Sequence, residues 1–580
     1  MITHHLKGIV MKNEISILAL GVCLVFAGCG PNSEKKPELE KRISDLCIND
    51  ANFYTPNMTI KTADIVVHDG EITAFGINGK GDLCNNGRQY KQTVDLKGAY
   101  LYPGFVDSHA HLLGIGLREM TLNLEGTPSI KTLQKALAEE VAKTPKGETV
   151  YGRGWIETHW PEDRFPTRQD LDAVSPDNPV LLQRADGHAM VVNSAALKAA
   201  GITKDTKPPF GGDILHNADG EPTGMLIDHA MDLVKDLMPT LSPARKEAAY
   251  IKASEVYAAY GWTGIQSMSV DANDISLIER LSDEGKLKIR VYNAVDINGA
   301  DDLLKNIAAN GPQKSKNGRI TTRGLKFYID GALGSRGAAL LAPYSDDPGN
   351  TGLFLVKKET IMPIFEQSLR DGIQISTHAI GDRANQLMLD WYEEAFAAVP
   401  ESERKIAKPR WRNEHSQILD LPDIKRYQEL GVIASMQPSH AIGDLFFAKD
   451  RLGKARLRGG YAWRSLIDSG AIIAGGSDAP VERGDPRIEF YAAVARKSLD
   501  GYSDEDWFPR EKVTRPEALK MFTEWAAYAA FEEDVAGNIK PGMRADFTVF
   551  NKDIMTIPEA EILKVETVMT VVDGEVVYKK

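Results

Sequence analysis

Six residues carry the chemistry open to this chain: His109, His111, His378, His415, Lys326 and Asp478. The first two form an H-x-H that closes the apolar run Phe105-Val106-Asp107-Ser108-His109-Ala110-His111. Residues two apart on a strand share a face, so both imidazoles can reach one ion. An H-x-H alone says little, because any strand end can hold two histidines. Four further runs change its weight: 324–331 brings Lys326, 373–378 brings His378, 411–415 brings His415 and 472–480 brings Asp478. Imidazoles and a carboxylate from separate segments suit a hydrolase site for two divalent metal ions.

Each run is short, apolar and strand-like, delivers its polar residue at or near its C-terminal end, and is followed by helix-like sequence. That is how a (β/α)8 TIM barrel, an α/β fold, builds an active site from several strand ends. The pattern predicts eight barrel strands, at 104–109, 263–267, 289–294, 325–329, 373–377, 410–414, 432–436 and 471–475.

The ordered signals are the H-x-H after Pro103-Gly104, KFYIDGALGSR at 326–336, HAIGDRA at 378–384, Glu414-His415, and GSDAPV at 476–481. Over residues 46–580 the chain resembles the amidohydrolase superfamily, and within it amidohydrolase family 3, the group similar to N-substituted formamide deformylases. The resemblance implies that His109 and His111 hold the more buried ion with Asp478. His378 and His415 would hold a second, with Lys326 between them and zinc the expected metal. A free ammonium beside two cations is repelled, so Lys326 fits such a site only as a carbamate formed with CO2; burial and neighbouring cations favour the neutral amine that reacts. The alternative is a lysine in an ion pair at the barrel mouth. Asp478 would carry a proton from the attacking water to the leaving nitrogen; otherwise an Asp in such a turn is a solvated cap. The implied reaction is cleavage of an amide C–N bond in a small N-acyl, N-formyl or cyclic amide substrate. A one-metal deaminase or esterase of the same fold, and a binding barrel without catalysis, stay open.

Nearly 150 residues, 112–260, separate the first two strands. That is far above an ordinary connection and marks an inserted subdomain, which the resemblance makes a cap on the barrel mouth. Because the insertion starts at the catalytic face, Trp155 and His188 are candidate substrate contacts, against packing for the tryptophan and a loop hydrogen bond for the histidine. Tyr328, Arg336, Arg383 and His440 follow barrel strands and are further candidates. Tyr328 would offer a phenol, and either arginine could grip a substrate carboxylate; a core position or an ion pair with a nearby Asp are the alternatives. His159, His216 and His229 have no supporting pattern.

Residues 46–103 and 537–580 share period-two apolar runs and D-G turns at Asp69-Gly70 and Asp573-Gly574, which predicts one small β-sandwich built from both termini, flanking the barrel of 104–536. His68 belongs to that sheet. Ahead of it, an apolar run at 15–26 ends in Ala27-Gly28-Cys29, similar to a bacterial lipoprotein signal. The expectation is a signal peptide over 1–29, lipidation of Cys29, a tether over 30–45, and an enzyme anchored in the cell envelope, facing the periplasm. A plain secretory signal or an inner-membrane anchor is the alternative. In that oxidising compartment Cys47 and Cys84 could pair. With 580 residues, 43% hydrophobic, the chain can bury a large core. A net charge of -12 without a concentrated basic run argues against nucleic acid or an anionic membrane surface as partner. A small-molecule substrate and contact with membrane only through the lipid anchor are expected, and the resemblance implies a homodimer.

Overall fold

The computed structural model describes residues 44–77, 83–85, 87–158, 160–298 and 301–580. The signal-like segment, Cys29, the tether through residue 43, and His159 lie outside the described residues. Among the described residues no helix is long and apolar enough to cross a membrane.

Eight parallel strands form the barrel: β1 (Phe105–Ala110), β2 (Trp262–Val270), β3 (Arg290–Asp296), β4 (Ile320–Tyr328), β5 (Gln374–Ala379), β6 (Arg412–His415), β7 (Ile433–Met436) and β8 (Ile473–Gly475). Each pairs with its neighbour in sequence, for example Lys326 opposite Ser376 and His378 opposite Glu414. All eight predicted strands are present. The ladder runs unbroken from β1 to β8, and the seam between those two is held at their C-terminal ends: Asp478 N–H donates to His109 O (2.6 Å) and His111 N–H to Ala479 O (2.8 Å). Gly476 permits this approach, since a Cβ there would lie 2.5 Å from His109 N.

Between β1 and β2 the cap folds as a six-stranded sheet running from Leu122–Asn123 at one edge to Gly212–His216 at the other. The cap is shorter than its sequence span. Helix Pro243–Tyr260 starts on a Ser242 side chain that accepts from Arg245 N–H and ends on Gly261 at φ 109°. Its Tyr250, Ala253 and Tyr257 join the barrel core, so it belongs to the barrel.

The first and last described stretches meet in one eight-stranded sheet that includes Ser44–Tyr54, Ile60–His68, Tyr100–Pro103, Phe547–Phe550 and Thr567–Val572. The predicted sandwich is thus one hydrogen-bonded sheet around a common core of Leu46, Ile65, Leu101, Phe547, Met569 and others. Both D-G turns have positive φ at both residues, as the tightest hairpins require. Cys47 and Cys84 are joined by a disulfide in this sheet, and His68 lies at the end of its second strand.

Candidate active site at the barrel mouth

The C-terminal strand ends bring all six expected groups together. His109 is fully buried; its Nδ1 faces Glu414 Oε2 at 2.6 Å, which turns Nε2 toward the mouth, 3.5 Å from Asp478 Oδ1. His111 Nε2 lies 3.0 Å from the same oxygen, with Nδ1 held by Met268 O. The His415 ring stands 4.7 Å from that of His109 and 4.5 Å from that of His378, and its Nδ1 is steadied by Gln437 Oε1 at 2.8 Å. Donor atoms of His109, His415 and Asp478 lie within 4.8 Å of one another, a trio that draws on both of the ion sites the resemblance implies. Lys326, on β4, is 1% exposed, with its Nζ 4.6 Å from the Tyr328 ring centre.

Electrostatics suit these groups to metal binding. Burial, with the Lys326 charge added, brings His109 down to about 4, and burial holds His378 and His415 well below the usual histidine value. All three are neutral imidazoles at neutral pH, the state in which nitrogen binds metal. Burial would raise Asp478, but the surrounding histidines prevail and keep it an anion. Burial brings Lys326 down to about 8. His415 (φ 82°) and Asp478 (φ 60°) hold left-handed backbone conformations that cost non-glycine residues about 1–3 kcal/mol each, a strain that aims both side chains inward.

The donor set passes a direct test of fit to metal. His109 Nε2 and Lys326 Nζ are buried with no hydrogen-bond partner among the described residues, although both feel the Asp478 carboxylate. Orphaned buried nitrogens are costly, and a bound ion or a carbamate would remove the cost.

Supporting residues escaped the sequence reading. Glu414 fixes His109, and Arg412 pairs with Glu414 at 2.7 Å while reaching Ser108 O, Ser435 Oγ and Gln266 across the barrel interior. The visible signal was Arg412-x-Glu414, two opposite charges on one face of a barrel strand. Asp107, two residues before His109, accepts from His109 N–H, Tyr257 OH and Ser477 N–H and ties β1 to the Asp478 turn. Asp330 accepts from Ala339, Ile380 and Gly381 N–H groups, joining the loops after β4 and β5.

A cavity of about 250 Å³ opens over the site, lined by His188, His378, His415, His440 and Asp478 with Ile156, Leu333 and Phe447. Of the six expected substrate contacts, His188 and His440 line it. Trp155 does not: it is fully buried in the cap core, its Nε1–H donating to Leu182 O, while its neighbours Gly154 and Ile156 face the cavity. Tyr328 spends its hydroxyl on Ser269. Arg336 is paired with Asp346 at 2.9 Å, and Arg383 is exposed, lying over Phe354; neither lines the cavity.

Comparison with known proteins agrees with this geometry. The family model described as "Amidohydrolase family" matches residues 92–578. YtcJ, a Bacillus subtilis protein ascribed to the amidohydrolases, is 34% identical over 525 residues, 90% of this chain and 96% of its own. N-substituted formamide deformylase of Arthrobacter pascens is 27% identical, covering 93% and 99%. The crystal structure of an uncharacterized metal-dependent hydrolase from Pyrococcus horikoshii superposes with a TM-score of 0.69 at 26% identity, covering 89% of this chain and 99% of that one.

Proposed function

Because the chain belongs to the amidohydrolase family of metal-dependent hydrolases, we propose that it cleaves the amide C–N bond of a small N-acyl or N-formyl amine, or of a cyclic amide. The observation that carries this reading is a pair of buried nitrogens without a hydrogen-bond partner among the described residues, His109 Nε2, 3.5 Å from Asp478 Oδ1, and Lys326 Nζ. His109, His111 and Asp478 would hold one divalent ion and His378 and His415 a second, both expected to be zinc; Lys326, carboxylated by CO2, would offer its two oxygens to the pair. Bound there, the ions would supply Lewis acidity toward water and the scissile carbonyl. Asp478 would take the proton of the attacking water and return it to the leaving nitrogen. The buried His440 and the partly buried His188 line the cavity over the site and would restrict access of bulk water.

Charge around the cavity supports a substrate without a carboxylate. Both arginines in its wall are already paired, Arg184 with Glu157 (2.8 Å) and Asp186, Arg483 with Glu125 (3.0 Å). Asp444 and Glu482 add two more carboxyls, raised by burial to about 7 and about 8. An incoming anion would push both higher still, whereas a neutral or amine-bearing group is favoured.

The test is metal content of the purified protein after growth with zinc and bicarbonate, together with amine release from N-formyl and N-acyl amines set against N-acyl amino acids. About two equivalents of metal per chain, falling on Lys326→Ala, and preference for the amines are expected. The compact trio of His109, His415 and Asp478 favours a second reading, a single-ion enzyme; one equivalent, insensitive to Lys326, would establish it and refute the bridge. The Ala27-Gly28-Cys29 sequence further supports an enzyme lipid-anchored in a bacterial envelope; absence of fatty-acid label on the wild-type chain would rule that out.

A further inference from the structure

We propose that Asp228, a residue of the cap, is the positioning residue that holds the ring of His188 against substrate in the barrel site. The inference rests on the amide-hydrolase reading of the same mouth.

His188 follows a turn at Gly187 (φ 79°) and lines the cavity, its ring 5.0 Å from that of His378. Asp228 ends the neighbouring cap strand, where its N–H donates to His188 O at 2.9 Å. Its Oδ1 lies 2.6 Å from His188 Nδ1. With Nδ1 so engaged, Nε2 is the nitrogen left to face the cavity.

The other oxygen, Asp228 Oδ2, is buried and has no hydrogen-bond partner among the described residues. It lies in a notch of two glycines in the loop after β4, the Lys326 strand. A Cβ on Gly331 would come within 2.3 Å of Oδ2 and one on Gly337 within 2.5 Å, and Gly331 N–H donates to Gly337 O across the notch. The Asp228 backbone is itself left-handed, at φ 46°. A strained residue with a half-satisfied buried carboxylate is a poor device for stability alone. The arrangement makes sense as a clamp: the barrel loop fixes the carboxylate, and the carboxylate fixes a cap imidazole over the reacting centre.

Position also indicates what His188 meets. The imidazoles form a row, His188 beside His378 and His378 beside His415, with Asp478 Oδ2 4.0 Å from His415 Nδ1 at the far end. Asp478 serves the leaving nitrogen, so a group at the opposite end of the row touches the acyl side of the substrate.

The test combines kinetics, metal content and nitrogen-15 spectra of the histidine rings in the full metal-loaded protein. His188→Gln and Asp228→Ala should each lower kcat/KM about tenfold to a hundredfold, the scale of a misplaced contact, with metal content unchanged. The double variant should be no worse than His188→Gln alone, because Asp228 acts only through His188. Asp228→Asn, whose amide carbonyl still accepts from Nδ1–H, should recover most of the loss. Gly337→Ala, which leaves both side chains in place but fills the notch, should resemble Asp228→Ala. Losses that multiply in the double variant would overturn the inference, as would loss of metal from His188→Gln, which would make that histidine a ligand. Were no amide turned over, the function proposed above would fall separately. The ring spectrum would still decide the clamp: His188 should show a proton held on Nδ1 that is lost in Asp228→Ala, and an unchanged signal refutes it.

Discussion

Lys326→Met should stabilise the metal-free protein while destroying its metal centre. Lys326 is 1% exposed, and its Nζ has no hydrogen-bond partner among the described residues. Burial lowers it from the usual 10.5 to about 8. At about 1.4 kcal/mol per tenfold change in proton affinity, that displacement makes the buried ammonium cost on the order of 3 kcal/mol. Below about pH 8 the folded chain keeps the ammonium and bears the full cost. Between about 8 and 10.5 the unfolded chain binds more protons than the folded one, so the stability of the wild type rises with pH across that window and the penalty disappears. Methionine matches the length of the side chain and has no charge to bury. In denaturant unfolding of metal-stripped protein near pH 7, the variant should gain roughly 3 kcal/mol. The margin should shrink as the pH approaches the upper end of the window. The same variant grown with zinc should lose bound metal. A variant less stable than wild type at neutral pH, or a margin indifferent to pH, would refute the reasoning, because it would mean that the lysine is solvated or firmly paired.

Glu414→Gln keeps shape at the His109 contact but removes the charge that orients the ring and balances the buried Arg412; chelator competition should show metal affinity reduced about tenfold to a hundredfold. Joint replacement of Cys47 and Cys84 by serine opens a loop of 37 residues and should cost the terminal sheet about 4 kcal/mol, read as a lower denaturation midpoint than that of the oxidised wild type.

The barrel was legible because each strand is a compact apolar run that ends in a chemically distinctive residue. Even so, β4 begins at Ile320 and not at 325, since its polar first half, Thr321-Thr322-Arg323, hides its strand character. The histidine ligands could be found from their strand ends; the residues that hold them could not, because the His109–Glu414 contact joins positions 305 residues apart. Trp155 shows a different limit. Period-two alternation along Val150–Trp155 breaks at a register shift next to Gly154 (φ 110°), which turns the tryptophan into the cap core, and a bulge of that kind leaves no mark in the hydrophobic pattern. Arg336 was legible by position but not by partner, since Asp346 reaches it only once the loop has folded back.

The terminal sheet has a consequence for the chain as it is made. Strand Tyr100–Pro103 completes one side only when Phe547–Phe550 arrives, pairing Pro103 with Phe547 and Tyr100 with Phe550. Until more than 400 residues later in the chain have been synthesised, that strand offers an open edge of unpaired N–H and C=O groups. A chain that stops within the barrel therefore keeps that edge open, and an unpaired edge is a template for pairing with another chain.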